Sequence, residues 1–460
     1  MLENIDICRV LKTALSNGGE FADIYFEEGS STGISCEDGR IERVVAGSDR
    51  GVGIRVIADL RTAYAYTNSI SEAALLELAR TVSRAVNGKN FDAAIDMRGL
   101  QMATGFPIVE QPSMVPLKRR VELVNEADRA ARGFDSRIRQ VSVSYRDGRS
   151  RTQIANSSGD FVEFSRTGVV FAVQTVAADG SVIQTGYESV GGFCGLEILG
   201  AKPPAEIAVT AASRAVKMLG AAKSPGGVMP VVLSSEAGGT MVHEAIGHGL
   251  EGDLVEAGVS MYTGKLGSLV ASPLVTVVDD ATIPNARGSF SFDDEAVPAR
   301  RNVLVENGIL KGYLYDRLSG MKSGCASTGN GRRESYASKP IVRMTNTLIL
   351  PGESPPEEVV REVDRGLFVR KMGGGQVNTV TGDFVFEVTE GYLVVNGEIG
   401  EPVRGATLAG NGPTVLQNVV KVGNDLGFGI GTCGKDGQGI PVSDAQPTLL
   451  IAEITVGGSA

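Results

Sequence analysis

Apolar and polar positions in the first half of the chain alternate between helical and strand periodicity. Period-two alternation predicts short strands with turn residues between them, at Asp23–Glu27, Gly33–Glu37, Ile41–Val45, Gly51–Ile57 and Thr62–Tyr66. Asp147-Gly148 and Asp179-Gly180 predict hairpins further along. Helical spacing predicts four helices, namely 5–15, one opened by a Ser69–Glu72 capping box, one from Pro116, and one from Pro204 to Gly220. We therefore expect an N-terminal α/β domain with an antiparallel sheet.

The second half is predicted to be mostly strand and loop. Its predicted strands are Val228–Leu233, Leu274–Val278, Val303–Val305, Ile309–Tyr315, Ile341–Leu350, Phe384–Val388, Tyr392–Val395, Glu398–Gly400 and Leu449–Thr455. A single helix interrupts them, with Ser354 as cap and Pro355 in its first turn. The predicted class is α+β, with an N-terminal α/β domain, a linker and a β-rich C-terminal domain at 1–222, 223–227 and 228–460.

Composition and charge exclude several classes of protein. The 460 residues carry a formal net charge of −10, and basic residues do not cluster with aromatic ones, so direct nucleic-acid binding is not expected. The five cysteines are scattered and odd in number, which is typical of the reducing cytoplasm. The N-terminus lacks the basic and apolar regions of a signal peptide, and no apolar run approaches about 18 residues. A cytoplasmic protein without a membrane span is the prediction.

The only two histidines of the chain lie in one hexapeptide, His243-Glu-Ala-Ile-Gly-His248. Two histidines around a glutamate are typical of a zinc hydrolase helix, in which the imidazoles hold the metal and the glutamate is a general base. The usual spacing is i and i+4, whereas these histidines are at i and i+5, about 140° apart on a regular helix. A one-residue π-bulge would bring the rings together, and Gly247 makes such a bend inexpensive. The alternative is that both histidines lie by chance on an amphipathic helix.

A catalytic zinc needs a third protein ligand, and no third histidine exists. Cys433 has glycines on both sides and a nearby Lys435 that would favour the thiolate, although a lone cysteine is more often a small buried apolar residue. Glu251 and Asp253, just beyond the histidines, also have suitable chemistry. Spacing alone leaves these three candidates open.

Motifs along nearly the whole chain resemble those of the TldD/PmbA family of metallopeptidases, and of its catalytic TldD-type members in particular. They are Gly51-Val-Gly-Ile-Arg55, Ala63-Tyr-Ala-Tyr-Thr67, His243-Glu-Ala-Ile-Gly-His-Gly-Leu-Glu-Gly252, Gly288-Ser-Phe290, Asp293-Asp-Glu295, Arg343-Met-Thr-Asn346, Gly373-Gly-Gly-Gln376, Gly382-Asp-Phe384 and Cys433-Gly-Lys-Asp-Gly-Gln438. Taken together, these motifs are much more specific than the hexapeptide alone.

The resemblance implies one zinc ion held by His243, His248 and Cys433, with Glu244 as general base. It implies an enclosed cleft in a dimer, formed either with a second copy or with a PmbA-type subunit that lacks the metal motif. Unstructured or modified peptides are the substrates it implies, and binding as an added β-strand would hold them with little sequence preference.

Other residues are weaker candidates. Arg343 and Asn346, and Gly374 and Gly375 in a glycine-rich turn predicted to line the site, are candidates for substrate binding, with strand pairing an equal alternative for the first two. The glycine-rich segment 428–439 is likewise predicted as turns. The acidic run 293–295 is either a second metal or amine site or simply solvated. Tyr262 and Tyr336 are candidates to stabilise an oxyanion.

Two functions from other classes remain. Cys433 would be the nucleophile of a cysteine hydrolase, with a histidine as its base, and a chelator would leave that activity intact. A regulatory or binding subunit would have neither bound zinc nor peptidase activity.

Overall fold

The first half of the chain forms one large sheet in the computed structural model, which describes residues 2–88, 94–103 and 105–458. The strands are β1 (Phe21–Glu37), β2 (Arg40–Ala58), β3 (Arg61–Thr67), β4 (Gln101–Met102), β5 (Ile138–Asn156), β6 (Phe161–Asp179) and β7 (Val182–Gly192). They are arranged in the order β3-β2-β1-β5-β6-β4, with β7 also paired to β6. The pairs are antiparallel except for the short β4–β6 pair.

Several strands are much longer than their sequence patterns predict. The predicted strands between 23 and 57 are parts of just two strands, β1 and β2, which pair along their whole length. Asp147-Gly148 does not form the predicted hairpin, because it lies in the middle of β5, paired with β1 and β6 on either side. The hairpin predicted at Asp179-Gly180 is confirmed between β6 and β7. Pairing on both sides overrides the local turn preference of an Asp-Gly pair.

The helices of this half cover one face of the sheet. They are α1 (Ile7–Ala14), α2 (Glu72–Arg84), α3 (Leu117–Phe134), α4 (Ile198–Ala201) and α5 (Pro204–Leu219). The predicted Ser69–Glu72 capping box is wrong, because the Ser71 side chain accepts the hydrogen bond from the amide of Ala74. Their apolar sides pack on alternate residues of the strands, and these contacts form two clusters of buried residues. The opposite face of the sheet is left to contact the second half of the chain.

The second half is rich in strands, as predicted, so the α+β class is confirmed. Its strands are β8 (Ala222–Lys223), β9 (Gly227–Leu233), β10 (Val277–Asp280), β11 (Arg301–Glu306), β12 (Ile309–Leu310), β13 (Gly331–Arg332), β14 (Ile341–Val342), β15 (Asn346–Ile349), β16 (Arg365–Val377), β17 (Asp383–Val395), β18 (Glu398–Arg404), β19 (Thr407–Asn411), β20 (Val419–Val422), β21 (Gly427–Lys435), β22 (Gln438–Gln446) and β23 (Leu449–Gly457). The division into domains at 223–227 stays a prediction.

Two sheets make up most of this half. One sheet runs β16-β9-β23-β19-β17-β18-β8, and because β16 also pairs with β17, five of its strands close into a ring. The second sheet runs β12-β11-β10-β15-β22-β21, with β21 at its edge. Short helices connect the strands, namely α6 (Thr240–Val242), α7 (Gly252–Glu256), α8 (Arg317–Ser323), α9 (Pro356–Arg361) and α10 (Gly412–Gln417).

Three local predictions for the second half are wrong. The predicted strand 341–350 is two short strands, β14 and β15, because the residues between them turn away to make buried side-chain contacts. Helix α9 has Pro355 as its N-cap residue and no side-chain cap, so Ser354 does not cap it. The glycine-rich segments 373–375 and 428–439 belong mainly to strands, with a tight turn only at Asp436-Gly437.

Buried ion pairs join the two halves of the chain. Arg55 of β2 bonds to Asp23 of β1 and, at 2.6 Å, to Glu295 of the second half. Arg333 donates to the carbonyl of Asp294, whose carboxylate also lies 3.4 Å from Arg166. The acidic run 293–295 is therefore neither a solvated loop nor part of a cluster of metal ligands among the described residues. It fixes the second half against the N-terminal sheet.

Candidate metal centre

The backbone between the two histidines is distorted as their spacing predicts. An α-helical turn ends at Val242, residues His243–Gly247 form a π-helical turn, and a 3₁₀ turn follows from His248. The amide of His248 donates to the carbonyl of His243, which is the i to i+5 bond of a π-helix. A side chain at Gly247 would collide with the sulfur of Met344, so close packing as well as flexibility requires glycine there.

Three side chains converge at the end of this turn. The Sγ atom of Cys433, on β21, lies 3.3 Å from Nε2 of His243 and 3.3 Å from Nε2 of His248. The two imidazole rings are nearly perpendicular, with centroids 5.0 Å apart. Among the described residues, this is the one group of three or more His, Cys, Asp or Glu side chains whose possible ligand atoms all lie within 4.8 Å of one another.

The electrostatics of the cluster favour a thiolate. Burial alone would raise the pKa of Cys433, but hydrogen bonds from the two imidazoles outweigh it and lower the pKa to about 5. Burial would lower the pKa values of both histidines, yet both are raised. The Cys433 sulfur raises the pKa of His243, and Glu251 together with the same sulfur raises that of His248. Two imidazoles and a thiolate, arranged around one point, are a donor set that fits zinc.

Glu251 orients one histidine from behind. Its Oε2 atom lies 3.2 Å from Nδ1 of His248, on the side of the ring away from Cys433. Burial would raise the pKa of Glu251, but His248 and Lys435 lower it to about 2, so the group is ionised. A carboxylate on the second nitrogen fixes the tautomer and orientation of a ligating imidazole. The sequence suggested Glu251 only as a third ligand, and its position three residues after His248 gave no sign of this contact.

The sequence suggested that Lys435 would favour the thiolate of Cys433, but the lysine pairs with two carboxylates instead. Its Nζ atom lies 3.1 Å from Glu251 and 2.7 Å from Asp253, and both carboxylates are thereby occupied. Histidines rather than the lysine lower the pKa of Cys433. Neither Glu251 nor Asp253 joins the group of converging donor atoms, so the geometry favours Cys433 as the third member.

The Glu244 carboxylate is half-buried next to this cluster. No hydrogen bond or ion pair holds it within the described ranges, which leaves both oxygens available. Burial raises its pKa above the usual value, and the nearby histidines partly oppose that effect. A carboxylate with a raised pKa and a free oxygen is suited to accept and return a proton.

Arg343 and Asn346 make structural contacts. Arg343 is fully buried and donates to the carbonyl groups of Cys433 and Gln438, which holds the β21–β22 hairpin in place. Asn346 is also fully buried, and its side chain accepts from the amide of Gly288 and donates to Ser289. These contacts favour the structural alternative over substrate binding for both residues.

The glycines and tyrosines named from the sequence lie in different places. Gly374 and Gly375 are exposed on β16, and Gly375 faces the ring of Phe386, where any side chain would collide with it. Tyr262 is fully buried and donates to the carbonyl of Ala245 behind the π-helical turn. Tyr336 contacts Asp49 of the N-terminal sheet instead. Both hydroxyl groups are engaged in these hydrogen bonds, which does not favour a role for either in stabilising an oxyanion.

Family models and known relatives match nearly the whole chain. The PmbA/TldA metallopeptidase domain 1, central domain and C-terminal domain match residues 22–87, 110–219 and 226–458. The chain is 39% identical to a metalloprotease TldD homolog of Haemophilus influenzae, over 96% of this chain and 93% of that protein. It is 37% identical to a metalloprotease of Methanothermobacter thermautotrophicus, over 96% of each chain.

Solved structures share the fold. A putative modulator of a DNA gyrase from Thermotoga maritima superposes with a TM-score of 0.79 at 25% identity, covering 98% of both chains. TldE from Thermococcus kodakarensis superposes with a TM-score of 0.77 at 20% identity, covering 99% of this chain and all of that one. With three matching domains and relatives similar over nearly its full length, this chain belongs to the TldD/PmbA family of metallopeptidases.

Proposed function

We propose that this chain is a zinc-dependent peptidase in which His243, His248 and Cys433 hold the metal. The convergence of these three donors on one point, through an otherwise unusual π-helical turn, is the observation that carries the proposal. Two imidazoles and a thiolate prefer zinc to hard cations such as magnesium. When bound, the metal would polarise the scissile carbonyl and lower the pKa of a water molecule.

Glu244 is the general base in this proposal. Its free, half-buried carboxylate accepts the proton of the attacking water and then passes it to the leaving amine. The raised pKa makes the Glu244 carboxylate a stronger base toward the attacking water. Glu251 and Arg343 position His248 and the Cys433 strand, respectively, and do not touch the substrate.

An extended peptide is the proposed substrate. Residues 371–377 of β16 pair with β17 on one side, and no other described strand pairs with them on the opposite side. An unstructured peptide can add to such an edge through main-chain hydrogen bonds, which gives little sequence preference. Gly374 and Gly375 would allow its backbone to approach closely.

The proposed setting is a dimer in the cytoplasm. The five cysteines are all free, which suits a reducing compartment, and no described helix is long and apolar enough to cross a bilayer. The partner is either a second copy or a PmbA-type subunit.

Elemental analysis and peptide hydrolysis together test the proposal. Wild type is expected to contain about one zinc per chain, and Cys433→Ala to lose it, whereas Cys325→Ala keeps it because that thiol is exposed and distant from the cluster. Glu244→Gln is expected to keep zinc and lose hydrolysis of an unstructured peptide.

Other outcomes identify the alternatives. Hydrolysis that survives complete removal of metal by a chelator would instead indicate a cysteine hydrolase. Absence of both metal and hydrolysis in wild type would indicate a regulatory or binding subunit. Zinc retained in Cys433→Ala would point to a different third ligand.

A further inference from the structure

A cleft of about 730 Å³ lies between the N-terminal sheet and the second half of the chain. Its floor is the face of the sheet that carries no helices. Small residues form most of that floor, namely Gly29, Ser31, Gly47, Gly148, Ser150 and Gly168. The walls include Phe193 and Tyr336. A floor with so few side chains leaves room for a peptide backbone and its side chains.

Several guanidinium groups line this cleft. Arg146 is exposed on β5 and has no ion pair or hydrogen bond in the described part of the chain. Arg287, in the second half of the chain, donates to the carbonyl of Gly431 and to Thr432, at 3.1 and 3.3 Å, but contacts no carboxylate. Burial and the charge of Arg146 both lower the pKa of Arg287, which means that the two positive charges repel each other.

A third guanidinium, that of Arg166, also lines the cleft. Arg166 lies over the ring of Phe164, at 4.7 Å from its centroid, and reaches Asp294 at 3.4 Å. Its Nε atom is buried without a hydrogen-bond partner. A buried donor without an acceptor costs free energy unless a ligand or water satisfies it.

The carboxylates that line the cleft do not neutralise Arg146. Asp49 accepts from the hydroxyl of Tyr336, and Asp147 is paired with Arg120 at 2.7 Å. Glu27 accepts from the amide of Tyr336, and its pKa is raised to about 7 by burial and by nearby Asp294, so it is only partly charged at neutral pH. Only Glu334 is exposed there without such a contact. Four arginines line the cleft together with these four carboxylates, so the cleft is close to neutral in a chain with a net charge of −10.

The cleft lies next to one strand of the metal centre. Arg287 contacts Gly431 and Thr432 on β21, the same strand that carries Cys433. Thr432 directly precedes Cys433, but consecutive side chains of a strand point to opposite faces, so a peptide that reaches both the sulfur and Arg287 passes the edge of β21.

We propose that this cleft, through Arg146 and Arg287, binds a carboxylate of the peptide substrate. The carboxylate belongs to an Asp or Glu side chain or to the C-terminus of the peptide. The inference rests on the proposed peptidase function and adds a preference for acidic peptides to it. A guanidinium pair is well suited to a carboxylate, because its planar donors match both oxygens.

Paired peptides test the preference by binding as well as by turnover. Fluorescence anisotropy on the zinc-loaded Glu244→Gln protein compares an unstructured peptide containing Asp with its Asn counterpart, each with a free and with an amidated C-terminus. We expect the carboxylate form to bind about 10-fold more tightly at low salt, which corresponds to about 1.4 kcal/mol. The preference should shrink as salt is raised, because exposed charges are screened. Whichever change removes it, Asp to Asn or amidation, identifies the carboxylate that is bound.

Variants on one strand provide matched controls. Arg146→Gln is expected to abolish the ratio between acidic and neutral peptides, and Arg146→Lys to restore part of it. Arg139→Gln, an exposed arginine on the same strand outside the cleft, should leave the ratio and the activity unchanged. The inference is overturned by equal affinity for acidic and neutral peptides, by a preference that survives Arg146→Gln, or by tighter binding of a short oligonucleotide. Failure of the peptidase proposal appears separately, as peptides that bind but are not hydrolysed by wild type.

Discussion

Glu251→Gln is the change that most directly tests how the metal centre is held. The carboxylate of Glu251 accepts from Nδ1 of His248 at 3.2 Å and pairs with Lys435 at 3.1 Å, and it is completely buried. Glutamine has the same size and can still place an oxygen near the imidazole. The substitution therefore removes a charge but creates no cavity, and any effect reports the electrostatics of the pair.

The expected effect is a loss of zinc affinity. Removing a partner of this kind from a ligating histidine typically lowers metal affinity 10- to 100-fold, which corresponds to about 1.4–2.8 kcal/mol. The charge of Lys435 should add to the loss, because only Asp253 then remains to compensate it. Competition with a chromophoric chelator measures the affinity, and the melting temperature of the metal-free protein shows whether the fold has changed.

A substitution in the short helix that begins just after Glu251 serves as the control. Glu256→Gln in α7 removes an exposed pair with Lys322 at 3.0 Å, worth at most about 1 kcal/mol, and should not affect zinc binding. The reasoning is refuted if Glu251→Gln binds zinc within threefold of wild type while remaining folded. It is also refuted if the Glu256 variant loses affinity to the same extent.

Three further predictions follow from buried contacts. Zinc binding at pH 7 should release at least one proton from the histidines, because the pKa of His248 lies well above 6.5. Cys433, with a pKa of about 5, is already a thiolate and has no proton to release. Calorimetry in two buffers of different ionisation enthalpy measures the protons released, and a value of zero would contradict the prediction. Arg343→Lys should destabilise the protein by about 1–3 kcal/mol, since a lysine cannot satisfy the carbonyl groups of both Cys433 and Gln438. An unchanged midpoint of urea unfolding would show that Arg343 does not hold the β21–β22 hairpin in place. Glu27→Gln should stabilise the protein at pH 8 by up to about 3 kcal/mol and much less at pH 5. The reason is that a folded-state pKa raised from 4.5 to about 7 costs stability as the pH rises through that interval; a gain that does not depend on pH would contradict it.

The sequence predicts the histidine turn well because the constraint there is local. A spacing of five from His243 to His248 cannot place both rings on one side of a regular helix, so a bulge is the simplest solution, and a π-helical turn is found. The third donor depends on contacts between distant parts of the chain. Cys433 lies almost 200 residues away, and the pairing of β21 with β22 brings it to the histidines. The resemblance to a family, not the spacing, singled it out.

Local sequence patterns do not predict features that depend on contacts between distant parts of the chain. Asp147-Gly148 has the sequence of a turn, but neighbouring strands pair with it on both sides, and the absence of a side chain at Gly148 helps form the floor of a cleft. Arg343 in the motif 343–346 looks like a residue for binding a carboxylate. Its full burial against the carbonyl of Cys433 becomes visible only when the hairpin is in place.

The π-helical bond between the two histidines also makes one backbone amide a reporter of the metal centre. The amide proton of His248 is donated to the carbonyl of His243, so it cannot exchange with solvent unless the turn between them opens. Its exchange rate in the metal-free protein therefore measures how often the two imidazoles separate. Since the chain has no other histidine, selective labelling of that residue type would give only two backbone signals, and both would come from this turn.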